Sequence, residues 1–117
     1  MHKHLLSSKL ARRILWAAIG VAASPAVMAQ CFGYYCSGVI QSMTITSDVV
    51  YVRLFGDLAG LTNCTPYSQV YLTLPKSDPN YSSYYATLLA AYMAKESVTL
   101  RPIDSSPNCT ISYAAVP

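Results

Sequence analysis

The chain has 117 residues, eight Lys or Arg against five Asp or Glu, and four cysteines. Its formal charge of +3 misleads, because Lys3, Lys9, Arg12, Arg13, both histidines (His2, His4) and the single Trp16 all precede position 17. Past Ala29, two Lys, two Arg, four Asp and one Glu leave a formal charge of −1, so charge gives no argument for nucleic-acid binding, and the length leaves room for one small domain.

Residues 1–13 form a basic n-region, residues 14–27 an apolar stretch, and Val27-Met28-Ala29 supplies side chains that signal peptidase accepts. Residues 1–29 are therefore expected to be a bacterial secretory signal, and residues 30–117 one domain that is secreted or periplasmic, with no membrane attachment after cleavage. The apolar stretch is shorter than the ~20 residues of a bilayer span, and Ser24-Pro25 interrupts it. Gln30 separates Ala29 from Cys31, which argues against lipidation. In an oxidising compartment Cys31, Cys36, Cys64 and Cys109 stabilise a domain whose core is small. Of three possible pairings we favour 31–36 with 64–109, the second closing a long loop worth on the order of 4 kcal/mol in chain entropy. Zinc is disfavoured, since no histidine follows His4 and no C-x-x-C occurs; no metal or cofactor is expected.

Without histidine the mature chain has neither a Ser-His-Asp triad nor a Cys-His pair. General acid–base chemistry would fall to Asp48, Asp57, Asp78, Asp104, Glu96 or a lysine, and those carboxylates sit in turns and at element ends. The glycines are isolated, so no phosphate-cradling loop is present. The chain is expected not to be an enzyme.

Residues 38–46 (GVIQSMTIT) read as a strand with Val39, Met43 and Ile45 on one face and Ser42, Thr44 and Thr46 on the other. After a Ser47-Asp48 turn, residues 49–55 (VVYVRLF) form a second strand with Val50, Val52 and Leu54 inward, giving an antiparallel hairpin. A loop over 56–67 leads to a third strand, 69–74, with Val70, Leu72 and Leu74 inward. Asp78-Pro79 then opens a helix over 79–95, because Asp caps free amides and Pro suits the first helical position. Tyr81, Tyr84, Tyr85, Leu88 and Tyr92 share one stripe of that helix, and Lys95 ends it where a cation suits the dipole. Residues 98–103 and 109–114 complete the set as strands four and five, Pro102 placing the fourth on an edge or ending it early. The order β-β-β-α-β-β predicts a small, disulfide-stabilised, OB-fold-like β-barrel with one helix. The triplet Asn-Cys-Thr occurs twice, at 63–65 and 108–110, too briefly to count as a repeat.

No charge occurs from Pro79 through Ala94. The back of the helix carries Ser82, Ser83, Ala86, Thr87, Ala90, Met93 and Ala94. Two readings stay open. The face is solvated, or Ser83, Ala86, Ala90 and Ala94 pack against identical helices in a homo-oligomeric ring.

Two segments resemble the B subunits of AB-type bacterial toxins, the subtilase cytotoxin and typhoid toxin type. Tyr35-Cys36-Ser37-Gly38-Val39-Ile40 looks like the aromatic-x-Ser-Gly-Val opening of their first strand, and residues 82–101 are similar to their helix, break and following strand. The resemblance covers roughly a third of the chain past Ala29. It implies an OB-fold, a homopentamer with helices around a central pore, a companion catalytic toxin subunit as a partner, and binding of sialylated glycans. It places Ser37 at the sialic acid carboxylate, with Tyr34, Tyr35 and Tyr51 as aromatic partners for the sugar. The likeness is incomplete. The second strand lacks the family's cysteine, no Asp or Glu precedes Ser37 over positions 30–36, and the chain ends soon after strand five.

The expected function is a secreted or periplasmic, non-catalytic glycan-binding module of toxin B-subunit type. The alternative is a small envelope or secreted interaction domain, such as an inhibitor, without a sugar site. A carboxylate-dependent hydrolase is a distant third.

Overall fold

The computed structural model describes residues 28–116. The expected leader therefore lies outside the described residues, apart from Met28 and Ala29. Alternating Val and Leu produce the centre of the sheet: β3 (Val49–Leu54) buries Val50, Val52 and Leu54 completely or nearly so, as its pattern predicts. It pairs antiparallel with β2 (Cys36–Ile45) on one side and β5 (Tyr71–Pro75) on the other. The first half of β2 pairs with β6 (Ser97–Pro102), which pairs with β8 (Ile111–Ala115). The sheet order is thus β5-β3-β2-β6-β8, with the two-residue β1 (Gln30–Cys31) also on β2.

The expected barrel is not a closed sheet. Its outer strands meet at one parallel bridge, Thr73 with Thr110, where Thr73 N–H donates to Cys109 O at 3.1 Å. Next to that bridge, two-residue strands β4 (Thr65–Pro66) and β7 (Pro107–Asn108) pair in parallel. The Cys64–Cys109 disulfide adjoins this ladder, and Cys31–Cys36 ties β1 to β2. Both pairs are those favoured from the sequence.

β2 departs from its predicted phase. A bulge between Ile40 and Ser42 inserts Gln41. Before it, Cys36, Gly38 and Ile40 point inward; after it, Met43 does. Val39 is consequently only half-buried and Ile45 is exposed, so the core residue of this strand is Ile40. Gly38 has a local reason: a Cβ there would come within 2.9 Å of the Ala29 backbone, whose N–H donates to Phe55 O at 2.7 Å. The loop after β3 contributes buried Leu58 and Leu61, which alternation alone did not reveal.

Helix α1 (Tyr81–Ala94) covers the core between β5 and β6. Asp78 acts one step earlier than a cap, its carboxylate accepting Asn80 N–H at 2.8 Å, so Asn80 is the capping residue and the helix begins at Tyr81. Leu88 and Ala91 are buried, while Tyr81, Tyr84, Tyr85 and Tyr92 are half-buried against the core. The predicted tyrosine stripe faces inward, with Ala91 added to it. Tyr84 Oη donates to Ser112 O and fastens the helix to β8. Lys95 closes the helix in a left-handed conformation (φ 55°), its N–H donating to Tyr92 O while Glu96 N–H donates to Ala91 O, a Schellman arrangement that glycine usually fills.

Candidate functional site

Outward side chains of β2, β6 and β8 form one patch. The register pairs Ser37 with Thr99, and their hydroxyls bond at 2.8 Å. Two residues along β6 on the same face stands Arg101, roughly 7 Å from Thr99 at ~3.3 Å per residue. Arg101 pairs with Tyr113 of β8, and its guanidinium lies 4.9 Å from the centroid of Tyr34. Tyr34 in turn meets Tyr35 edge-on at 5.2 Å, and Phe32 stacks on Tyr35 at 5.2 Å. The loop carrying these rings closes the small Cys31–Cys36 disulfide. Beside Arg101 and Tyr113 runs an open cleft of about 440 Å³, lined also by Ile103, Asp104 and Ser112.

The patch unites three of the four residues picked for glycan binding: Ser37, Tyr34 and Tyr35. Tyr51 is not among them. It pairs with Thr44 near the far end of β2, seven residues beyond Ser37 or about 23 Å of strand. Thr99, Arg101 and Tyr113 escaped the sequence reading, because only strand register brings them beside Ser37. Their outward alternation on β6 and β8 was the available signal.

The patch is suited to bind an anion and an apolar ring together. Arg101 offers a fixed cation and several donors, the paired hydroxyls add reversible donors and acceptors, and Tyr34 and Tyr113 are about half exposed. Stacking on Tyr34 orients the guanidinium before any ligand arrives, which lowers the entropy lost on binding.

Three of the carboxylates accept local hydrogen bonds. Asp57 accepts Ala59 N–H at 3.0 Å, Asp78 accepts Asn80 N–H, and Asp104 accepts Asn63 Nδ2 at 2.8 Å. Among the described residues no cluster of three or more His, Cys, Asp or Glu is placed to hold a metal. A second cleft, about 490 Å³, flanks the Cys64–Cys109 disulfide between Thr62, Asn63, Ser105 and Asn108. Asn63 lines it, and its Oδ1 is buried without a donor. Turning the amide gives no relief, since Nδ2 already satisfies two acceptors, Pro102 O and Asp104 Oδ1.

The helix face picked for self-association is exposed. Ser83, Ala86, Ala90 and Ala94 all lie outward, with Leu89 38% and Met93 74% exposed among them. No described helix is long and apolar enough to cross a membrane, and the paired cysteines fit an oxidising compartment. Compared with protein-family models, with curated proteins and with solved structures, the chain matches none.

Proposed function

We propose that this chain is an exported, non-catalytic binding module that recognises an acidic glycan, of which a sialylated sugar is the expected form. The observation that carries the reading is Arg101 stacked over Tyr34, two residues along β6 from the Ser37–Thr99 hydroxyl pair. In this reading the sugar carboxylate lies on Arg101 and Ser37, and the ring lies against Tyr34 with Tyr35 and Tyr113 at its rim. The strand order and the single bridge between β5 and the start of β8 support an OB-type barrel, the architecture of the toxin B subunits that the sequence resembles. The five longer strands, with the helix between the third and fourth of them, follow the chain order of such a barrel, which supports the reading.

Binding of sialyllactose, followed by calorimetry, tests the site. Arg101→Met should weaken it by about tenfold or more, since a charge-assisted hydrogen bond to a carboxylate is lost. Ser37→Ala should have a smaller effect, because Thr99 keeps a hydroxyl in place. Equal binding by wild type and Arg101→Met would remove the proposal.

Self-association through the uncharged outer face of α1 belongs to the same reading, as does a catalytic subunit as companion. Ala90→Glu should convert the assembly to monomers in light scattering with an unchanged circular dichroism spectrum, because a buried carboxylate in a helix–helix contact has no partner there. A wild-type protein that is already monomeric counts against the ring.

A second reading has an observation of its own. Phe32 and Ile103 are 51% and 47% exposed around the same patch, as at the apolar centre of a protein interface. An envelope or secreted interaction domain without a sugar site accounts for them. Absence of any sugar binding by wild type favours this second reading.

A further inference from the structure

The outward surface of β3 and β5 carries a cluster that the Arg101 patch does not use. Tyr51 stands on β3, Tyr71 opens β5, and Tyr67 precedes it across a tight loop. Tyr51 lies 4.7 Å from Tyr67 and 5.8 Å from Tyr71, and Tyr67 is 6.2 Å from Tyr71, measured between ring centroids. Tyr67 is 40% exposed and Tyr51 and Tyr71 are half-buried, so the three rings form a shelf that opens to solvent through Tyr67. The loop that brings Tyr67 back over Tyr51 is tied at both ends, Tyr67 N–H donating to Tyr71 O and Tyr71 N–H to Tyr67 O, each at 3.0 Å. Inside it Ser68 and Gln69 take left-handed conformations, φ 47° and 66°, at consecutive non-glycine positions. Such backbone is unfavourable and persists where surrounding contacts hold it. Here it holds an aromatic ring outward.

Arg53 lies beside this shelf. It follows Tyr51 by two residues on the same face of β3, and register pairs it with Ser42 on β2 and Tyr71 on β5. Its Nε is buried without a hydrogen-bond partner. None of the five carboxylates lies on β2, β3 or β5. The guanidinium therefore has aromatic and hydroxyl neighbours in its strand register and no acid there.

We propose that this face is a second ligand site, for a saccharide carrying a single negative charge. The apolar face of the sugar stacks on Tyr67 and Tyr51, its anionic group sits on Arg53, and Ser42 and Thr44 supply hydroxyl partners. A nucleic acid would also stack on tyrosines, but it needs several cations to track successive phosphates, and β2, β3 and β5 carry one. The site stands on its own residues and does not depend on binding at Arg101.

Glucuronate and glucose, titrated into isotopically labelled exported protein and followed by amide NMR shifts, test it. Glucuronate is expected to move the amides of Tyr51, Arg53, Tyr67 and Tyr71, and glucose to bind about tenfold more weakly or less. Arg53→Met should abolish that preference for charge, Tyr67→Ala should weaken both sugars, and Arg101→Met should leave the Tyr67 response unchanged. Tyr67→Ala alters an exposed ring, so it keeps the test open should Arg53→Met fail to fold. The proposal falls if these amides do not shift at millimolar glucuronate, if glucose binds as well as glucuronate, or if a short single-stranded oligonucleotide displaces the sugar.

Discussion

Replacing both Cys64 and Cys109 by Ala is expected to lower stability by about 4 kcal/mol, because the bridge closes a 45-residue separation and its loss frees the unfolded chain. For a domain of this size that corresponds to a fall in melting temperature of about 15–30 °C. The disulfide also lies beside the point where the sheet's outer strands meet, at the Thr73–Thr110 bridge. Cys109 is fully buried, Thr73 N–H bonds its carbonyl, and Thr73 Oγ1 donates to Asn108 O at 3.0 Å. The corresponding double replacement of Cys31 and Cys36 should cost about 2 kcal/mol, since those residues are five apart. Thermal melts of the two variants by circular dichroism check the ranking. A greater loss from the short loop would contradict the account.

The second large effect is expected at Leu88. This side chain is fully buried, and the helix that carries it packs on β2, β5, β6 and β8. Leu88→Ala should cost about 2–5 kcal/mol through lost burial and a residual cavity, against total stabilities of about 5–15 kcal/mol for such domains. Leu88→Met keeps the volume and should cost less than about 1.5 kcal/mol. Urea unfolding midpoints measure both. A loss below about 1 kcal/mol for Leu88→Ala would mean that the helix is not fastened to the core by this residue.

Element order and most of the core were legible in the chain. Val50, Val52, Leu54, Leu72 and Leu74 follow simple alternation, and all are buried. The tyrosines of α1 follow the helical period and face inward as read. What escaped depends on non-local or irregular geometry. The Gln41 bulge reverses the phase of β2, so Val39 and Ile40 exchange roles, and no alternation rule announces an inserted residue. Leu58 and Leu61 are buried in a segment with no period. The two-residue ladder of β4 and β7 is too short to carry any pattern. Val70, expected to face inward, falls in the loop before β5.

The Arg101 patch was partly legible for the same reason. Ser37, Tyr34 and Tyr35 are neighbours in sequence, so a local reading could group them. Thr99 joins them through antiparallel register with Ser37, 62 positions away, and brings Arg101 and its partner Tyr113 with it, which one sequence does not reveal. Tyr51 shares their chemistry, yet β3 carries it to another neighbourhood, beside Tyr67 and Tyr71.

β2 has a mechanical consequence. One continuous strand of ten residues serves β6 with its first four positions and β3 with the remainder. Neither neighbour can swivel against the other without bending that shared rail at Gln41. Arg101 and Arg53 are therefore carried by the two neighbours of one strand, whose register sets the span between them. Were both proposed sites to bind, a branched molecule whose charged tips match this span would be held at two points with a high effective concentration, and one of different reach by a single tip.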